Sequence, residues 1–173
     1  MQTEQMDARP RARRSAMRQA LALAAFAGAT AVAAGLGALA TQRSVRSPWY
    51  ARLRKASFQP PKEAFGPVWT GLYALMAGSA WRVWRQPEST ARSRALALWG
   101  TQLSLNAGWS ALFFGARTPK ASLAELGGLM VTVAAYANEA RKVDRPAAWM
   151  VAPYLGWTAF AGALNEEIVR KNP

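Results

Sequence analysis

The stretch LALAAFAGATAVAAGLGALA, Leu21 to Ala40, decides the fold class. It runs for 20 residues without a charge, and nothing between Arg18 and Arg43 is charged either. Wound as an α-helix it is about 30 Å long, the thickness of a bilayer's hydrocarbon core. A soluble helix with a basic surface would show polar residues every three or four positions, and this stretch has no such rhythm. Outward from it the pattern recurs: Ala64 to Trp81, Ala95 to Ala116 and Pro146 to Asn165 are uncharged over 18, 22 and 20 residues. Ala121 to Ala140 is weaker, since Glu125 interrupts it, although Leu126 to Asn138 is free of charge. The pattern predicts an all-α integral membrane bundle of five transmembrane helices, over 19–41, 64–84, 95–116, 120–140 and 146–169, with a long first loop.

The chain of 173 residues has room for one such bundle. Its mean hydropathy of −0.06 is low because apolar spans are averaged with arginine-rich connections. Twenty-two Lys and Arg against nine Asp and Glu give +13, held in short clusters between the spans. There is no cysteine and no histidine, which removes thiolate and imidazole metal sites, His-based nucleophile constellations, disulfides and the usual axial ligands of haem. No metal role is expected. Residues 1–18 carry five arginines and read as a disordered basic tail near anionic headgroups, not as a nucleic-acid binder. A cleaved secretory signal is the other reading, but its apolar region would run only about 7–15 residues. Alternate connections hold 12 and 10 basic residues, too even to orient the bundle.

The connection from Thr41 to Glu63 is long and carries Trp49, Tyr50, Leu53 and Phe58 before Pro60 and Pro61. It reads either as a lid over one mouth of the bundle or as an interfacial aromatic anchor. Gly100, Ser104 and Gly108 recur every four residues and offer a small-residue face for a neighbouring helix, in the bundle or in a second subunit. Few polar groups lie inside the spans. Asn106 needs a partner in the bundle or in a ligand. Glu125, with no second intramembrane charge to form a relay, reads as a carboxylate stabilised near a helix start. Trp69 and Tyr73 share one helix face, and Tyr154, Trp157 and Phe160 fall at i, i+3 and i+6. Converging, these faces would wall a pocket for a planar apolar ligand; otherwise they are core packing or interface belts.

Three motifs in order carry a resemblance: WYARLRKASFQPPKEAFGPVWTGLYALM (Trp49 to Met76), LNAGWSALFFGAR (Leu105 to Arg117) and PAAWMVAPYLGWTAFAGALN (Pro146 to Asn165). Together they resemble the tryptophan-rich sensory protein family, whose animal members are the translocator proteins or peripheral-type benzodiazepine receptors. The likeness covers about residues 20–172 and agrees with the five spans and the long first loop.

The resemblance implies a multi-pass, often homodimeric bundle, and the Ala/Arg-rich composition without cysteine points to a bacterial cell membrane. Under its first loop, a pocket would bind tetrapyrroles such as protoporphyrin, or synthetic benzodiazepine-type ligands. It places Trp69 and Trp157 at that pocket, with Asn106, Ala161 and Leu164; Trp49, Phe65, Tyr73, Trp109 and Tyr154 complete the candidate ligand set. Sensor, scavenger or regulator of porphyrin levels is the leading role it suggests. Light- and oxygen-dependent porphyrin degradation using Trp69 and Trp157, or transport of porphyrin or another small apolar ligand, are the alternatives. No cofactor is obligatory, and protoporphyrin or haem would enter as ligand. Two departures matter. The usual KPSW.PP reads Lys55-Ala56-Ser57-Phe58-Gln59-Pro60-Pro61, and Glu166 and Glu167 stand where animal members carry a sterol-recognition tyrosine, so weak sterol binding is expected.

Overall fold

A computed structural model describes residues 2–173, with side chains described for 15–173. The basic tail expected at 1–18 therefore lies, but for its last four residues, outside the described side chains. Among the described residues there are five long α-helices and two short ones: α1 Gln2–Val45, α2 Pro48–Arg52, α3 Lys62–Trp84, α4 Thr90–Ser110, α5 Pro119–Val143, α6 Arg145–Met150 and α7 Ala152–Lys171. No strand forms among the described residues.

Local chemistry sets most boundaries. The Ser47 hydroxyl accepts from Tyr50 N–H at 3.3 Å and Ser89 from Arg92 N–H at 3.2 Å, capping α2 and α4. Pro48 and Pro119 open α2 and α5, where a missing N–H costs nothing. The span expected over 146–169 is divided: α6 and α7 meet at a turn on Val151, because Pro153 has no N–H with which to continue the ladder. The end of α4 departs from regularity as well. Ala111–Gly115 form a π turn, with Ala116 N–H reaching back five residues to Ala111 O at 2.7 Å. Arg117 then takes φ 58, the left-handed conformation that reverses the chain into α5.

The helices close a ring in which α1 packs on α3 and α4, α4 on α5, α5 on α6 and α7, and α6 back on α3. Met76, Ala80, Val83, Leu129, Val133, Tyr136 and Tyr154 fill the centre, each almost wholly buried. Polar bonds tie helices across it. Ser79 donates to Ala147 O at 2.7 Å and shares a 2.5 Å bond with the Tyr136 hydroxyl, while Trp99 Nε1 donates to Met76 O at 3.1 Å. Arg82 forks onto Asp144 with two 3.1 Å bonds, Gln86 adds a third at 2.8 Å, and Asp144 caps α6 through Ala147 N–H at 2.8 Å.

The outer surface is apolar instead. Met17, Leu21, Val32, Leu36 and Leu39 stand exposed along α1, with Val131 and Trp149 elsewhere. Water would not tolerate such a face, whereas lipid would. Ser15–Val45 is the one described helix long and apolar enough to cross a membrane by length and composition alone. The other long helices are diluted on such scales by tryptophan, tyrosine, glycine and small polar residues.

Candidate functional site

Trp69 and Tyr73 are one turn apart on α3, and Tyr154 and Trp157 one turn apart on α7, so each pair lies on one face of its helix. The two faces meet. The Trp69 ring lies 5.1 Å from Tyr73, stacked on it, and 6.3 Å from both Tyr154 and Trp157, edge to face. Phe65 extends the group 5.7 Å from Trp157, and Phe160 lies 5.6 Å from the same ring. These are favourable edge and offset geometries for ring quadrupoles.

Asn106 of α4 joins the tyrosines from behind. Tyr73 hydroxyl donates to Asn106 Oδ1 at 3.0 Å, and Asn106 Nδ2 donates to the Tyr154 hydroxyl at 2.9 Å. Both ends of the amide are thus used within the bundle. Ala161 packs at the edge of the core one turn beyond Trp157, and Leu164 is half-buried further along α7.

Trp49 and Trp109 belong to a second aromatic group. Trp109 stacks on Phe113 at 5.3 Å, Trp49 meets Phe113 edge-on at 6.0 Å, and Phe114 contacts both Trp109 and Tyr50. Among the described aromatic pairs none joins this group to Trp69. The π turn carries Phe113 and Phe114, so neither residue's role follows from a regular 3.6-residue period. The Trp109 indole N–H is buried without a hydrogen-bond partner. An orphaned buried donor of this kind is uncommon and marks a place where a ligand acceptor would be satisfied.

The first loop covers this end of the bundle. Asn172, just past α7, pairs with the Arg54 backbone in both directions, accepting from its N–H at 3.0 Å and donating to its carbonyl at 3.1 Å. Lys171 Nζ adds a bond to Lys55 O at 3.3 Å, and Phe58 reaches Phe160 at 6.2 Å. The loop therefore lies over the bundle end as the lid reading requires, fastened by an asparagine that no sequence motif flags. A cavity of about 460 Å³ opens at its edge, lined by Pro48, Trp49, Arg52, Leu53, Arg117 and Asn172.

Two candidates behave differently from expectation. Glu125 lies in the second turn of α5, beyond the first turn where backbone N–H groups are free, and no acidic residue stands in that first turn. Its carboxylate instead occupies the space that Gly108 leaves open, where a Cβ would collide with it, and its Oε2 is buried without a partner. The small-residue stripe is correspondingly split. Gly108 faces α5, while Gly100 has open space at its Cβ position and Ser104 is exposed, its hydroxyl turned back to Gly100 O.

The comparison with known proteins agrees with this architecture. The model of the TspO/MBR family matches residues 23–170. A "Translocator protein" of Bos taurus is 36% identical over 129 residues, covering 72% of this chain and 75% of the bovine one. A "Tryptophan-rich protein TspO" of Archaeoglobus fulgidus is 39% identical over 139 residues, covering 79% and 87%. A "Tryptophan-rich sensory protein" of Cereibacter sphaeroides is 36% identical over 141 residues, covering 80% and 87%. A match across nearly all of the described bundle, on helices that bring the tryptophans of separate motifs into contact, means that this chain belongs to the TspO/MBR family of helical membrane proteins.

Proposed function

We propose that the protein binds a planar tetrapyrrole of the protoporphyrin type at the aromatic cluster under the first loop, as a sensor, scavenger or regulator of porphyrin levels. The observation that carries this reading is the 6.3 Å meeting of Trp69 and Trp157, from helices 88 positions apart in sequence, over the Tyr73–Asn106–Tyr154 hydrogen-bond chain. Flat π-surfaces suit a flat apolar ring, and opening the edge-to-face contacts would exchange ring–ring for ring–ligand stacking. The cavity beside Trp49 supplies what the ligand's carboxylates need, since Arg52 and Arg117 line it. The Trp109 N–H offers one directional donor.

All five long helices cross the membrane in this reading, and the cell membrane of a bacterium is the proposed location. Two chains associate through the outward Gly100–Ser104 face, where small residues permit close approach. Gly100→Leu is expected to convert the detergent-solubilised dimer to monomer, and an unchanged oligomeric state by light scattering would remove that face from the interface.

Titration of the purified protein with protoporphyrin, followed by tryptophan quenching, tests the binding. Trp69→Phe and Trp157→Phe are each expected to weaken affinity by about fivefold, the scale of one lost aromatic stacking contact; unchanged curves in both variants would overturn the site. Haem is expected to bind no better than the metal-free ring, for want of a histidine or cysteine ligand. Cholesterol should bind weakly, because Glu167 pairs with Arg170 and Lys171 and makes that face of α7 ionic. A submicromolar sterol dissociation constant would contradict this. Product analysis of the same samples in light and in darkness separates binding from photo-oxidative degradation, and a liposome flux assay separates both from transport.

A further inference from the structure

A second cavity, of about 710 Å³, shares no lining residue with the aromatic site. It runs between α5 and the corner where α6 turns into α7. The groove exists because the facing side chains are small: Ala134 and Ala137 on α5, Ala148 and Ala152 across from them. Leu155 closes its apolar end, and Val133 and Val151 form a buried floor. From Arg141 down to Val133 is two helical turns, about 12 Å, so the trough has the length of a good part of an acyl chain. Its volume falls in the range of about 300–1,000 Å³ common to small-molecule sites.

The other end of the trough is basic. Arg141, Lys142 and Arg145 line it together, and Lys142 is matched by Glu139. Arg141 and Arg145 have no carboxylate partner among the described residues, and the nearby Asp144 is already held by Arg82 and Gln86. Trp149, on the rim, is 76% exposed, an indole placed where hydrocarbon gives way to headgroups. The N-terminal arginines approach the same end: Trp81 Nε1 bonds Gln19 O at 3.1 Å and Arg18 lies over Trp84, which brings the start of the described α1 side chains to the end of α3.

We propose that this groove holds one anionic phospholipid from the surrounding bilayer, with the phosphate between Arg141 and Arg145 and an acyl chain along Ala134, Ala137, Ala152 and Leu155. The charge pattern selects the headgroup and the alanine trough accepts the tail. A zwitterionic lipid satisfies only the second requirement. The site would tether this end of the bundle to an anionic leaflet, independently of whatever the aromatic cluster binds.

Native mass spectrometry of the full chain in detergent, titrated with phosphatidylglycerol or with phosphatidylcholine of the same acyl chains, tests it. One phosphatidylglycerol is expected to bind about thirtyfold more tightly, as two basic residues near an anionic headgroup would give. The double substitution Arg141→Gln and Arg145→Gln should erase that preference, while Arg43→Gln with Arg46→Gln, at the far end of the bundle, should keep it. Ala137→Phe should weaken both lipids by filling the trough, with the melting temperature reporting that the fold is intact. Equal affinity for the two lipids in the parent chain overturns the proposal, as does a preference that survives loss of Arg141 and Arg145. Displacement by glycerol phosphate at the same concentration would show a bare phosphate site, and stoichiometric displacement by protoporphyrin would show a porphyrin carboxylate site; either result also overturns it.

Discussion

Replacing Asp144 by alanine is expected to destabilise the bundle by about 3 kcal/mol, the largest effect of any single polar substitution outside the aromatic site. Asp144 is nearly buried and does three things at once: it accepts the two-pronged bond of Arg82, accepts from Gln86 and caps α6. Losing the cap alone costs about 1 kcal/mol. Breaking a buried pair from one side costs about 3–5 kcal/mol when the remaining charge is stranded. The Arg82 side chain is 38% exposed and recovers some hydration, which places the total toward the lower end. For a chain of this size the expected fall in melting temperature is about 6–12 °C, read by circular dichroism in detergent. Asp144→Asn keeps a capping oxygen and should lie between the two. A melting temperature for Asp144→Ala within about 2 °C of the parent would mean that the Arg82 fork contributes little.

Replacing Asn106 by alanine is expected to cost about 2–3 kcal/mol and to lower protoporphyrin affinity by about tenfold. The amide is the one group that bonds both tyrosines of the cluster, and it is itself buried. Without it the wholly buried Tyr154 hydroxyl loses its donor and the Tyr73 hydroxyl its acceptor, each an unsatisfied group costing about 1–3 kcal/mol before relaxation. Freed of that restraint, the rings beside Trp69 are no longer held in one orientation. Tyr73→Phe removes a single bond and should cost only about 1 kcal/mol. Melting curves and quenching titrations of the two variants give the comparison. If Tyr73→Phe proves as damaging as Asn106→Ala, the amide is not the hub of the site.

Much of this site was legible from spacing. Four-residue and three-residue intervals placed Trp69 with Tyr73 and Tyr154 with Trp157 on common helix faces, because helical periodicity is a property of the local backbone. The polarity of Asn106 in an apolar run announced that it needed a partner. Its partners, two tyrosine hydroxyls on different helices, were not legible, since hydrogen bonds over 33 and 48 positions leave no local trace. Phe113, Phe114 and Asn172 were missed for related reasons. The π turn breaks the period on which face assignments rest, and a lone asparagine near the end of a helix looks like any other. The seat of Glu125 was not legible either, because the space it fills is made by Gly108 on another helix.

The order of charges and apolar residues determined by itself that this chain is an α-helical membrane bundle. Hydrogen-bonded backbone in lipid admits few other solutions, and uncharged runs of sufficient length are a one-dimensional signal. Only the tertiary structure decided which helix faces meet, that Gly108 makes room for Glu125, that Arg82 and Asp144 pair across 62 positions, and that an alanine trough opens beside Arg141 and Arg145. Those outcomes depend on how whole helices pack around one another, and packing is settled by shape and polar matching between residues that the chain itself keeps far apart.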